Sequence, residues 1–554
     1  MRRLATGKIA LLTAALGATA LAAETAGDAG FTLVQIADET CLDPASSAAA
    51  AAAEAPPVLV DGLGFAGIDA DSDDPEARAW FAQGVRLIWA FDEAEAIRAF
   101  QQAQREDPAC AMCFFGEAWA RGPTINLQPR TEELEAARSA AARAVSLSQR
   151  LSERDRVLVR AMAIRTGAGE AFDNARYASF MESAALNRPQ DDILSIMAAD
   201  ARMVASEDMQ PGSLSQRLLE RVLARSPDHG GAIHYYIHLT DWIDRQHLAV
   251  RHAERLGRIA PAASHLVHMP SHTFYGVGRY RDAAAVNVAA IAADRDYGAR
   301  VRPPRSDYRW ALLRHNMQFA INSALARGDG ATALAVSDQY RAEYLSGEVQ
   351  PASRLLGSAT YYARGLHGDV AGTLALPEPD HALDKAMRHY ARGEALVRRG
   401  DSAAVRAEAE AIAALMESSL SPALGRGGTV LSQIFRHVLE GRAAMLAGDP
   451  RAAAAAYRIA MERQGAAGFG FDPPLFWYSV RRSLAAALIA AGDHESARNQ
   501  LYASLRRWPH DPLALYALSL AQRRLGEEEM ADRNLARARA GWAGELTDMP
   551  LARI

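Results

Sequence analysis

The chain has 554 residues, enough for several compact domains or one long array. Its 61 basic and 66 acidic residues leave a net charge of −5, which excludes the basic field that nucleic-acid binding requires. Only Lys8 and Lys385 of the basic residues are lysine, a bias of genome composition rather than a phosphate-binding feature.

At the N-terminus, Arg2, Arg3 and Lys8 precede an apolar run from Ile9 to Ala23 that contains Ala20-Leu21-Ala22. This is the layout of a secretory signal peptide over residues 1–23, so the expected location is periplasmic or secreted. No later segment is apolar over the ~18 residues needed to span a bilayer. Residues 24–75 read as an irregular leader with an Ala/Pro-rich linker, and the acidic stretch 69–77 is placed to cap the first helix.

From residue 76 to about 545 the apolar spacing is helical almost throughout, which predicts an all-α chain. Trp80, Gly84, Ala96, Phe100, Ala103 and Pro108 follow the tetratricopeptide repeat (TPR) pattern: small residues let paired helices approach and proline ends the second. The signature returns at Ala249, Ala253 and Leu256, at Ala283, Asn287 and Ala290, and at Ala453, Tyr457 and Ala460. It appears again at Ala497, Leu501 and Ser504, and at Ala531, Leu535 and Ala538. Gly278, Gly328, Gly448 and Gly492 each stand five residues before a repeat alanine. These features predict a TPR-like α-solenoid, a right-handed superhelix of helix-turn-helix units. Segments 130–225 and 340–430 are helical without an assignable phase. Three cysteines are too few for a disulfide framework, and Cys110 and Cys113 read first as small packing residues at a helix start, with a local disulfide as the alternative.

Eight of the fifteen histidines fall between His229 and His272, in the repeats at 230–297. His234 and His238 are four residues apart, and His268 and His272 repeat that spacing 34 residues later, in phase with Ala249 and Ala283. Each pair therefore lies one turn apart on the first helix of its repeat. His265 and Asp241 extend the same stripe, and His315 takes the place matching His265 in the next repeat. Packed first helices lie ~8–10 Å apart, close enough for their side chains to meet on one ion. Imidazoles in this pattern suit a transition metal, zinc or copper foremost, with His234, His238, His265, His268, His272, His315 and Asp241 as candidate ligands. Pro270 interrupts the second helix and threatens to rotate His272 away from His268. His247 and His252 fall on a second helix and read as surface residues.

The step from Ala453 to Ala497 is ten residues longer than the repeat, and the surplus holds "GFGFDPPLFWY" at 468–478. Such insertions sit over one face of a solenoid, so Asp472, Trp477, Tyr478 and Arg481 are candidates to close over a ligand. The segments 89–126, 234–241, 265–284, 314–316 and 471–488 together resemble, in order, a family of exported bacterial TPR proteins. The likeness implies the TPR architecture and no particular reaction. Relatives often carry Asn-His at the place of Asp92-Glu93 and Glu-Pro-Pro at that of Asp472-Pro473-Pro474, so a role for residues 92–93 does not carry over. No hydrolase, Walker or dinucleotide motif stands in a suitable context, and the glycine-rich 425–430 follows a helix, not a strand. Two functions are thus expected: a metalloprotein with a histidine-rich concave site, or a periplasmic scaffold whose groove takes a peptide or protein partner without metal.

Overall fold

The computed structural model describes residues 56–129, 131–205, 209–303, 307–466 and 472–554. The signal-like segment 1–23 and most of the linker lie outside the described residues. Among the described residues helices follow one another from Pro75 to Gly541 with no strand, in the antiparallel pairs expected of a TPR-like α-solenoid. No helix among them is long and apolar enough to cross a membrane.

The first pair shows how sequence sets the geometry. Asp74 caps the helix Pro75–Trp89, its Oδ1 accepting from Glu76 N at 2.8 Å and Ala77 N at 2.9 Å. A Cβ on Gly84 or Gly116 would stand 2.6 or 2.3 Å from the Phe100 ring, so only glycine lets the helices close on that ring. At the corner between paired helices the chain enters the left-handed region, with φ of 76° at Gly278, 74° at Gly328, 78° at Gly448 and 86° at Gly492. Asp244 and Phe91 occupy the equivalent corners of two other repeats and carry φ of 56° and 53° themselves.

Residues 56–74 form no helix but are not detached, because Val60, Leu63, Ala66 and Ile68 are buried in the core. Gly62 anchors the segment by accepting at its carbonyl from Ala262 N at 3.0 Å. Cys110 and Cys113 are buried at the start of the helix Ala111–Ala120, as the packing reading required, but they are also joined in a disulfide, which that reading did not favour.

The two halves of the solenoid touch. Tyr280 donates its hydroxyl to the Pro509 carbonyl at 3.3 Å, and Ala543 N donates to the Arg327 carbonyl at 2.7 Å. Residues 474–478 of the insertion run inside the C-terminal half: Asn322 Nδ2 donates to the Pro474 carbonyl and the Tyr362 hydroxyl to the Leu475 carbonyl, at 3.0 and 2.9 Å. Phe476 is buried among the rings of Tyr362, Tyr390 and Phe435. This chain therefore buries part of its own insertion in the core of the C-terminal half.

Candidate metal centre

Six helices position the site: α1 (Pro75–Trp89), α2 (Gly230–Trp242), α3 (Ser264–His268), α4 (Pro270–Gly276), α5 (Tyr280–Val301) and α6 (Asp307–Ala326). Helix α2 carries His234, His238 and Asp241, α3 carries His265 and His268, α4 carries His272, and α6 carries His315. All seven predicted ligands fall into three groups, each with donor atoms within 4.8 Å of one another: His234, His238 and His265; His268, His272 and His315; Asp241, His272 and Asp472, the last two groups sharing His272. Proline does divide the second helix, at Met269, yet Met269 keeps helical angles and the His268 and His272 Nε2 atoms remain 3.0 Å apart.

The hydrogen bonds behind the rings fix which nitrogen each presents. His234 Nδ1 lies 2.7 Å from the Trp89 carbonyl oxygen, which only accepts, so Nδ1 bears the proton. Its Nε2 lone pair then faces His265 Nε2 at 3.0 Å and His238 Nε2 at 3.1 Å. Asn287 on α5 donates Nδ2 to the Ala283 carbonyl at 2.8 Å, which turns its Oδ1 to accept from His268 Nδ1 at 2.7 Å. His272 Nδ1 donates to Asp472 Oδ2 at 2.5 Å and has Asp241 Oδ2 at 3.5 Å. With both Nδ1 protons committed, the Nε2 atoms of His268 and His272 face each other across 3.0 Å, a separation that places a proton or a cation between them. Two lone pairs at that separation repel unless a proton or a cation lies between them. For comparison, nitrogens bound tetrahedrally at ~2.0–2.1 Å stand about 3.3 Å apart.

Both trios are dry. Five of the six imidazoles, all except His272, are at least nine-tenths buried. The Phe91 ring packs on His234, His238 and His265, and Phe319 packs on His268, His272 and His315. Burial pushes His234 down to about 3 and, with the neighbouring imidazoles, holds His238, His265, His268 and His315 well below the usual range. These five are neutral, the form in which imidazole binds a metal. Burial also opposes charge on His272, but Asp472 and Asp241 overcome it and lift this group to about 10. Asp241 is held low because His272 and Gln246 outweigh its burial. Burial and repulsion from Asp241 raise Asp472; since 40% of its side chain is exposed, the repulsion is the firmer cause. Two buried nitrogens, His265 Nδ1 and His315 Nε2, have no hydrogen-bond partner.

Of the four insertion residues, only Asp472 reaches the histidines. Trp477 is buried beneath the Arg482 guanidinium, Tyr478 bonds to Ser483 at 2.9 Å, and Arg481 donates to Gln500 at 2.7 Å. His252, expected at the surface, is buried beside the Tyr236 ring, and burial together with Arg251 lowers it to about 4. Three contributors were missed by sequence reasoning. Asn287 occupies the repeat position that holds Phe100, Tyr457 and Leu501 elsewhere, so a polar residue there was the available signal. Phe91 stands at a corner where glycine is the rule. Phe319, one turn beyond His315, carried no signal distinguishing it from a core residue.

The fold and site define a TPR-like α-solenoid with a buried polyhistidine centre. No family model matches the chain, and no curated protein matches it. Among solved structures, a Naa15/Naa10 complex bound to HypK-THB aligns at 14% identity over 86% of this chain and 90% of that one, with a TM-score of 0.21. The human IFIT1 dimer with m7Gppp-AAAA aligns at 12% identity over 86% and 92%, with a TM-score of 0.29. The P58(IPK) TPR domain aligns at 13% identity over 82% and 99%, with a TM-score of 0.21. At these identities and scores the fold assignment rests on the chain's own helix pairs, and nothing about activity follows.

Proposed function

We propose that this chain is an exported metalloprotein that binds a transition metal, zinc or copper, through imidazoles presented by neighbouring TPR-like repeats. The carrying observation is the convergence of six imidazoles in two trios, each with donor atoms within 4.8 Å of one another, with Asn287 and Asp472 fixing His268 and His272 from behind. Carbonyl and carboxylate acceptors behind ligating histidines are the usual second layer of a metal site. Three imidazoles in each histidine trio leave a coordination position for water or a substrate, the arrangement of catalytic rather than structural zinc. Export is inferred from the signal-peptide layout of residues 1–23.

A proton is the competitor for the place between the two nitrogens, as His272 in its imidazolium form would bridge to His268. Elemental analysis of the full chain purified without an affinity tag separates the two. Near-stoichiometric metal is expected, and it should disappear in a His234→Ala/His268→Ala variant that keeps its helical circular dichroism. A metal-free chain that takes up neither zinc nor copper after dialysis would mean that a proton bridges the rings. The scaffold reading, a groove that binds peptide, draws support from the TPR-like architecture. It draws nothing from the insertion, whose Phe476 is buried in the C-terminal core rather than presented to a partner.

A further inference from the structure

Resting on that reading, we infer that the two histidine trios hold two ions as one coupled pair sharing a small bridging oxygen ligand, a water-derived hydroxide or small oxyanion. The trios are not separate sites. His265 and His268 lie nearly parallel, with ring centres 5.8 Å apart and an interplanar angle of 27°, and His238 and His272 are 6.1 Å apart. Within the first trio, His238 and His265 are 6.2 Å apart. The gap between the trios is thus no wider than the spread of ligands inside one of them. Paired catalytic ions generally stand ~3.5–4 Å apart and share an oxygen ligand.

The donor inventory points the same way. Each trio supplies three imidazoles, and each retains one unpartnered buried nitrogen, His265 Nδ1 in the first and His315 Nε2 in the second. His315 Nε2 is thus free to face an ion in the second trio, while in the first the Nε2 atoms of His234, His238 and His265 converge. The walls select the size of the ligand. Phe91 closes the first trio and Phe319 the second, so access falls to the edge where His272, Asp241 and Asp472 keep 11%, 20% and 40% of their side chains exposed. Two carboxylates at that mouth disfavour large anions and suit water, whose proton either can accept.

Copper(II) is the probe, added to the metal-free full chain and followed by dialysis. Two coppers per chain are expected, with an electron paramagnetic resonance spin count well below the copper content, because a bridging oxygen couples the spins. A His234→Ala/His238→Ala variant, which dismantles the first trio alone, should hold one copper whose spin is fully visible. His315→Ala makes the same test from the other side, and circular dichroism verifies the fold of each. One copper per native chain, or two with a full spin count, overturns the coupled pair and leaves the metalloprotein reading intact. No retained copper overturns both.

Discussion

At the residue scale, the centre depends on groups that touch no ion themselves. Asn287 is fully buried, and its orientation is set by the Ala283 carbonyl, so His268 has only one tautomer available. Removing such a partner typically weakens metal binding 10–100-fold. Asn287→Ala should do so in a competition titration against a chelator while leaving the number of bound ions unchanged; an unaltered affinity would mean that the bond only packs α5 against α3. Phe91 shows strain put to use, since a bulky residue at φ 53° is held there by complete burial over three imidazoles. Two residues on, Glu93 is buried with Oε1 unpartnered, and burial together with the Asp92 and Asp200 charges pushes it up to about 8. A carboxyl raised above its unfolded value near 4.5 favours folding fully below that value and loses the contribution as pH rises through 8. Thermal stability should therefore fall between pH 5 and pH 9 more steeply in the native chain than in Glu93→Gln. Parallel pH curves for the two proteins would refute the assignment.

At the element scale, the insertion reconciles length with function. The ten residues beyond the repeat belong to an insertion that joins the helix Pro450–Ala466 to the helix Val480–Ala490. Its start places Asp472 on His272, and its middle buries Phe476 among three aromatic rings. The aromatic anchor thus holds the carboxylate in register. Truncating a buried phenylalanine costs about 3–5 kcal/mol, and the loss should appear in urea unfolding of Phe476→Ala. Because Asp472 is tethered by the same segment, that variant should also bind metal more weakly, whereas truncating the remote Phe100, equally buried, should affect stability alone. Metal affinity unchanged in Phe476→Ala would detach the loop from the centre.

At the scale of the whole molecule, what was legible in the sequence is what periodicity encodes. The register of His234 and His268 followed from Ala249 and Ala283, and the corner glycines marked the turns. Residues 340–430 resisted phasing because three short helices, Pro351–Leu356, Ser358–His367 and Val370–Leu374, stand where a repeat would place longer ones. Asp472 could be nominated for the groove but not for His272, 200 residues away, since no local pattern records a contact between the two halves. That contact makes metal binding a property of the closed solenoid: Asp472, the Tyr280–Pro509 bond and the Arg327–Ala543 bond all join the histidine repeats to the C-terminal half. A ligand present at a hundredfold its Kd stabilises the state that binds it by about 2.7 kcal/mol, which slows exchange about a hundredfold at amides that open only when that state is lost. Zinc added to the metal-free chain should therefore raise hydrogen-exchange protection in 230–242, 264–276 and 307–326, and in 472–478 by a similar factor. Protection that rises in the three histidine segments but not in 472–478 would show that the halves meet without sharing the centre, and Asp472 would then be a neighbour of His272 rather than its partner.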